Sequence, residues 1–321
     1  MKAITQQRYG SPDVLRMEDV ERPAVEDDRV LVRVRASSVN ATDWRHVRGR
    51  PYAARPMMGG IRRPKGRATG VDAAGIVEAT GKDVTHVAPG DEVYGSRSGA
   101  YAEYVSGRTF VHKPVNLSFE QAAAVPVAGC TALQALRDKG GIQAGQHVLI
   151  NGAGGGVGTF AVQLAKAFGA EVTAVSNTAN LELMRSLGAD HVIDYTRQDF
   201  TKGGSRYDII AEVGGRPSLR ACRRALAPGG TLVIVGAGKG DWVGPLARFA
   251  AGALRSRLLK QRIVGFVAEV TKEDLLTLKG LIEAGKVSPV MDRTYPLSET
   301  AEGLRYVEEG HARGKVVITV P

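Results

Sequence analysis

A chain of 321 residues with 43% hydrophobic and 24% charged residues has the composition of an ordinary soluble globular protein, long enough for two domains with separate cores. The start MKAITQQRYGSP lacks the apolar stretch of a secretory signal, and no apolar run approaches the roughly 18 residues that span a bilayer, so a cytoplasmic protein without a membrane partner is expected. Cys130 and Cys222 are too few for a disulfide framework or a structural metal cluster, while the formal charge of +10 leaves nucleic acid, a membrane surface and an anionic cofactor open.

Up to about residue 115, short alternating segments separated by Gly, Pro and Asp turns predict a small β domain: RVLVRVRASSV, GVDAAGIVEAT, GDEVYG and AYAEYV. From Ala122 the texture changes to alternating helix and strand, the pattern of a parallel sheet with crossover helices. HVLIN (147–151) is its first strand, GVGTFAVQLAKAFGA a helix ended by Gly, AEVTAV the second strand, LELMRSLGA a helix, HVID the third strand and YDIIAEV the fourth. SLRACRRAL then reads as a helix, TLVIVG as the fifth strand and QRIVGFVAEV as the sixth, which completes an α/β doubly wound sheet. Two amphipathic helices, KEDLLTLKGLIEAG and SETAEGLRYVEEG, and a closing strand GKVVITV follow, and periodicity does not say where this tail docks.

The turn after the first strand of that sheet reads Gly152-Ala153-Gly154-Gly155-Gly156-Val157-Gly158. Gly155 lets the backbone approach a pyrophosphate, Gly158 lets the helix pack close to the strand, and the free amides at the helix start face the anion. A glycine-rich tract alone is a flexible loop; its place between a strand and an amphipathic helix, at the head of six strands, points to dinucleotide binding. About 20 residues further on, where a carboxylate would bind the ribose hydroxyls of NADH, stand Ser176, Asn177, Thr178, Ala179 and Asn180. The missing acid favours NADPH, and the missing Lys or Arg leaves NADH possible. Gly236 and Ala237, after the fifth strand, are expected at the carboxyl edge where ligands bind in such sheets.

Several motifs run in order along nearly the whole chain: Asn40-Ala41-Thr42-Asp43, Gly70-Val71-Asp72-Ala73-Ala74-Gly75, Gly90-Asp91-Glu92-Val93-Tyr94-Gly95, Ala128-Gly129-Cys130-Thr131-Ala132, the glycine turn and the ending GHARGKVVITV. Together they resemble the zinc-independent branch of the medium-chain dehydrogenase/reductase superfamily, with its quinone oxidoreductases and zinc-free alcohol dehydrogenase-like members. The resemblance implies a Rossmann dinucleotide-binding domain (121–269) inserted into a GroES-like catalytic domain (1–120 and 270–321), with the active site in the cleft between them. It further implies that Asn40, Val71 and Val127 stand where metal-dependent relatives hold zinc, and two valines with one amide are no zinc ligand set. By the same resemblance Asn40 and Thr131 border the nicotinamide, Phe266 flanks it, Lys315 approaches the cofactor from the tail and Tyr195 lies against the adenosine end. Similar sequences carry an Arg or Lys where Ala179 stands.

Without a metal, hydride delivery rests on positioning and on hydrogen-bond donors aimed where negative charge develops. A quinone or α,β-unsaturated carbonyl suits such a site, because charge delocalises onto an oxygen remote from the carbon that takes the hydride. Asn40 can donate that hydrogen bond, or it is a turn residue capping the strand before it. Tyr52, on the following loop, is either a proton donor or a packing residue. The expected protein is an NADPH-dependent reductase of a quinone or unsaturated carbonyl, a homodimer paired through its sixth strand. A zinc-free alcohol or aldehyde oxidoreductase is the second reading. A low-turnover cofactor-carrying protein touching RNA through Arg45 to Arg67 is the third, but that segment is poor in stacking aromatics and no nucleic-acid partner is expected.

Overall fold

The computed structural model describes residues 1–56, 60–64, 69–214, 217–235, 261–310 and 312–321, and the chain divides into two units. The first comprises Met1–Cys130, Glu269–Gly285 and Pro289–Pro321; the second comprises Thr131–Ala268 with Lys286–Ser288. The tail that periodicity could not dock therefore belongs mainly to the β-rich unit.

That unit begins with an antiparallel hairpin of β1 (Lys2–Gln6) and β2 (Leu15–Asp19), which the sequence reading did not mark. β3 (Val30–Val39) alternates only in its middle, where Val32, Val34 and Ala36 are buried, Arg33 is exposed and Arg35 is half-buried; Val30–Val32 and Ala36–Val39 are buried on both faces. After it come α1 (Ala41–Arg48), β4 (Asp72–Thr80), β5 (Glu92–Ser96), β6 (Tyr104–Gly107), β7 (Val111–His112), α2 (Phe119–Ala123) and α3 (Pro126–Gln134). Gly49 ends α1 in the left-handed region at φ 63°, as a helix stop requires.

The second unit carries β8 (His147–Asn151), α4 (Gly156–Ala167), β9 (Glu171–Ser176), α5 (Leu181–Ser186), β10 (His191–Asp194), β11 (Tyr207–Glu212), α6 (Leu219–Ala225), β12 (Leu226–Ile234) and β13 (Arg262–Gly265). These strands form one parallel sheet in the order β10-β9-β8-β11-β12-β13, so the chain reverses direction across the sheet between β8 and β11. This is the doubly wound arrangement read from the sequence, with a ligand crevice at that reversal. The strand interiors Val148, Leu149, Ile150, Ile210 and Leu232 are fully buried, each contributing on the order of 1.5–3 kcal/mol. The sixth strand is shorter than the run QRIVGFVAEV suggested. Among the described residues its last pair is Gly265 with Ile234 of β12, and Val267 beyond it is 88% exposed.

The chain then returns to the first unit with α7 (Lys272–Glu283), β14 (Met291–Pro296), α8 (Thr300–Glu309) and β15 (Lys315–Thr319). The first unit's large sheet runs β14-β15-β3-β4-β5-β7, with β6 also on β3. β3 is antiparallel to both neighbours, pairing Val39 with Val316 and Ser38 with Asp72. The end of β3 and the starts of β4 and β15 therefore meet at one edge of the sheet.

Candidate functional site

At that edge, side chains far apart in sequence form a closed polar cluster. Asn40, the residue after β3, donates from Nδ2 to Asp72 Oδ2 at 2.8 Å and accepts at Oδ1 from Lys315 Nζ at 2.6 Å. Lys315 also donates to the Val39 carbonyl at 3.1 Å, and its Nζ is 3.7 Å from Asp72 Oδ2. Asp72 accepts two further bonds, from Ser38 Oγ at 2.9 Å and from the Val127 backbone N–H at 3.1 Å. Beside them Asp43, in the first turn of α1, accepts from the Asn40 backbone N–H at 2.7 Å and from the Tyr101 hydroxyl at 2.9 Å.

The cluster is almost sealed from water: Asp72 is 0% exposed, Lys315 2% and Asn40 7%. Burial pushes the Asp72 carboxyl above its ordinary value, against the pull of Lys315, and pushes the Lys315 ammonium below its own. Burial, with the Asp72 charge adding to it, lifts Asp43 to about 7 despite its bond from the Asn40 N–H. Asp72 and Lys315 are close enough to offset each other's desolvation, which is how two buried charges persist.

The second unit holds the glycine turn. A Cβ on Gly158 would stand 2.3 Å from the Gly152 carbonyl oxygen and 2.6 Å from Ala153 Cα, so the start of α4 can lie this close to β8 with glycine alone. A Cβ on Gly154 would meet Asn180 Nδ2 at 2.4 Å and Ser176 Oγ at 2.7 Å, which brings the second-strand turn against the glycines. By contrast Gly155 is open, with Gly152 O at 3.7 Å the nearest described atom to its Cβ position. The first amides of α4, with Gly156, Val157 and Gly158 in its opening turn, have no intrahelical acceptor. Among the described residues Asn177 Oδ1 and Asn180 Oδ1 are buried without a hydrogen-bond partner, as expected where a ligand completes the site. These features fit the pyrophosphate and adenosine end of a nicotinamide dinucleotide.

Two groups near this turn were not foreseen. Asp194, at the end of β10, accepts from Thr178 Oγ1 and from the Thr196 N–H at 2.9 Å and Oγ1 at 2.7 Å. Those bonds, the one from Thr178 foremost, hold its carboxyl below the usual range, so a negative charge sits beside a stretch that reads as neutral. Glu212, fully buried at the end of β11, accepts from Asn151 Nδ2 at 3.0 and 2.9 Å at the end of β8.

The remaining predicted residues are dispersed. Tyr195 follows β10, 37% exposed, with its N–H donating to Ser176 O at 3.0 Å. Phe266 lies just past β13 and not within it, half-buried, with Lys139 Nζ 5.7 Å from its ring centroid. Thr131 is half-buried in α3. Tyr52 is half-buried and its ring is 4.7 Å from the Arg55 guanidinium, whose other neighbour is the Tyr9 ring at 4.6 Å. Gly236 and Ala237 lie outside the described residues. Among the described residues, no group of three or more His, Cys, Asp or Glu is arranged to hold a metal ion, and no helix is long and apolar enough to cross a membrane.

Residues 26–135 match the alcohol dehydrogenase GroES-like domain, and residues 187–318 match the zinc-binding dehydrogenase family. The chain is 35% identical to a 2-methylene-furan-3-one reductase of Solanum lycopersicum, over 99% of this chain and 79% of that protein. It is 34% identical to a chloroplastic NADPH-dependent alkenal/one oxidoreductase of Arabidopsis thaliana, with the same shares of each chain. A solved quinone oxidoreductase from Coxiella burnetii superposes with a TM-score of 0.88 at 30% identity, covering 100% of this chain and 99% of the other. With a GroES-like unit, a doubly wound sheet headed by a glycine turn, and relatives matched over at least 99% of this chain, the chain belongs to the NAD(P)H-dependent oxidoreductases of the medium-chain dehydrogenase/reductase superfamily.

Proposed function

We propose that the protein reduces the conjugated double bond of an α,β-unsaturated carbonyl, or a quinone, with hydride from NADPH and without zinc. The observation that carries this reading is the state of Asn40. At the position where the resemblance gives zinc-dependent relatives a ligand, its amide is already committed to Asp72 and Lys315, and Val71 and Val127 offer no ligand atoms in their side chains. One N–H of Asn40 is left to donate to a substrate oxygen. A single neutral donor matches an acceptor whose own conjugation spreads the developing charge, and falls short of what an unactivated ketone or alcohol needs.

The Gly152–Gly158 turn and the Ser176–Asn180 stretch would hold the pyrophosphate and adenosine end of the dinucleotide, with Thr131, Phe266, Tyr195, Gly236 and Ala237 assigned to it from sequence; Lys315, expected there as well, is buried against Asn40 and would act through that amide. When bound, the dinucleotide supplies the hydride. Asn40 orients the acceptor's oxygen, and Tyr52 or solvent delivers the balancing proton, to the α-carbon of an unsaturated carbonyl or to the oxygen of a quinone. A homodimer joined through β13, the last strand of the parallel sheet among the described residues, and a cytoplasmic location belong to the same proposal.

The test is NADPH oxidation across a panel of enones, quinones, aldehydes and alcohols, before and after exhaustive chelation. Turnover confined to enones and quinones, unchanged by chelation, is expected. Loss of activity on chelation with recovery on zinc addition would overturn the metal-free part; turnover of simple aldehydes alone would favour the zinc-free alcohol and aldehyde reading.

A further inference from the structure

We infer that the buried Asp72–Lys315 pair is a positioning device that locks the Asn40 amide in one orientation and so determines which of its ends faces a reacting group. The two ends of a carboxamide are nearly identical in shape, so packing alone does not choose between them. Here the chemistry of the neighbours chooses. Lys315 carries donors and no acceptor and sits 2.6 Å from Oδ1; Asp72 accepts at both oxygens, at Oδ1 from the Val127 N–H and at Oδ2 from Ser38 and, at 2.8 Å, from Asn40 Nδ2. Turning the amide over would set an ammonium against an NH2 group and a carboxylate against a carbonyl, in a site excluded from water where neither repulsion is screened. A Lys315 proton on Oδ1 also polarises the amide, which strengthens its remaining N–H as a donor.

Asp72 is itself held rigid by Ser38 and by the Val127 N–H, so its orientation does not depend on Asn40. It thereby joins two of the three positions aligned with zinc ligands in metal-dependent relatives, and is the chain neighbour of the third, Val71. Charge that a metal would bring to this corner of the sheet comes instead from an ammonium on β15, balanced by a carboxylate on β4. Asp72 and Lys315 act through Asn40 and are positioning residues.

The inference rests on the reductase reading for its kinetic arm and is independent of it for its spectroscopic arm. Asn40→Ala is expected to lower kcat for an enone by on the order of 10²-fold. Asp72→Asn should lower kcat by a comparable factor with dinucleotide affinity unchanged, and in the Asn40→Ala background it should add less than about threefold, since its effect passes through the missing amide. Multiplicative losses, or an Asp72→Asn protein with a lower Tm and full kcat, would overturn the proposal. In the wild-type protein, the carboxamide proton signals of Asn40, assigned by their disappearance in Asn40→Ala, should form one pair with one member shifted downfield by its bond to Asp72, and Lys315→Met should reduce that shift, since the polarising ammonium is gone while the Asp72 acceptor remains. A pair at free-amide positions in the wild type would overturn the proposal even if Asp72→Asn fails to fold. Absence of turnover with every enone and quinone would sink the reductase reading and leave the spectroscopic result to decide this one.

Discussion

The two polar regions of this protein work by opposite means. The glycine turn of the second unit functions through missing side chains: its backbone lies so close to itself that a methyl group at Gly158 would fall within 2.3 Å of a carbonyl oxygen. The cluster of the first unit functions through side chains, with a carboxylate, an ammonium, an amide, a phenol and a second carboxylate sharing one closed hydrogen-bond network. A steric site fails abruptly and at every pH. An electrostatic site inside a low-dielectric core responds to protons.

The contrast is most sharply broken by Gly158→Ala. The new methyl meets two backbone atoms that cannot yield, so a loss of roughly 1–3 kcal/mol in stability is expected, with dinucleotide affinity reduced on the order of 10²-fold or more. Thermal unfolding and a fluorescence titration with NADPH read both quantities, and an unaffected protein would mean that the turn is not close-packed.

Next in size is the pH response of Asp43, which faces Tyr101, Asp72 and Lys315. Its folded value of about 7 lies above the 3.8 of an ordinary aspartate, so the native state holds this proton more tightly than the unfolded chain. The stability it contributes is complete below the unfolded value and is lost as pH rises through about 7, with a slope of about 1.4 kcal/mol per pH unit across that window. Asp43→Asn keeps an oxygen for the Asn40 N–H and the Tyr101 hydroxyl and cannot ionise, so unfolding free energy measured from pH 4 to 8 should lose that slope. The same slope in the variant would show that Asp43 is ionised throughout.

Gly155→Ala sharpens the comparison from the other side. Its methyl would enter open space, so stability should change by less than about 0.5 kcal/mol, while NADPH affinity falls roughly tenfold if the pyrophosphate passes there. A parallel loss of stability and affinity would make Gly155 a packing residue. The smallest effect is expected of Ala179→Arg, on an exposed position of the second-strand turn. It should favour NADPH over NADH by roughly three- to tenfold, the gain being held down by the ionised Asp194 nearby and by solvent screening. Equal affinities for the two dinucleotides in the variant would place the 2′-phosphate elsewhere.

What the sequence by itself determined was whatever adjacent residues encode. The alternation in the middle of β3, the order of strand and helix from His147 to Gly265, and the glycines between β8 and α4 follow from side-chain periodicity and local backbone freedom, and all are readable within a window of a few residues. Resemblance added Asn40 and Lys315 as single positions. Only the tertiary structure decided that they touch, because they stand 275 positions apart and meet through β15 pairing with β3. Asp72 and Asp43 read as motif letters and Tyr101 carried no signal; the antiparallel register of β3 and β4 sets Asp72 opposite Ser38, and Asp43 joins by bonds from the Asn40 N–H and the Tyr101 hydroxyl. Hydrophobic pattern fixes which face of a strand is buried; which polar groups share that burial depends on strand order and register, and those are properties of the assembled sheet.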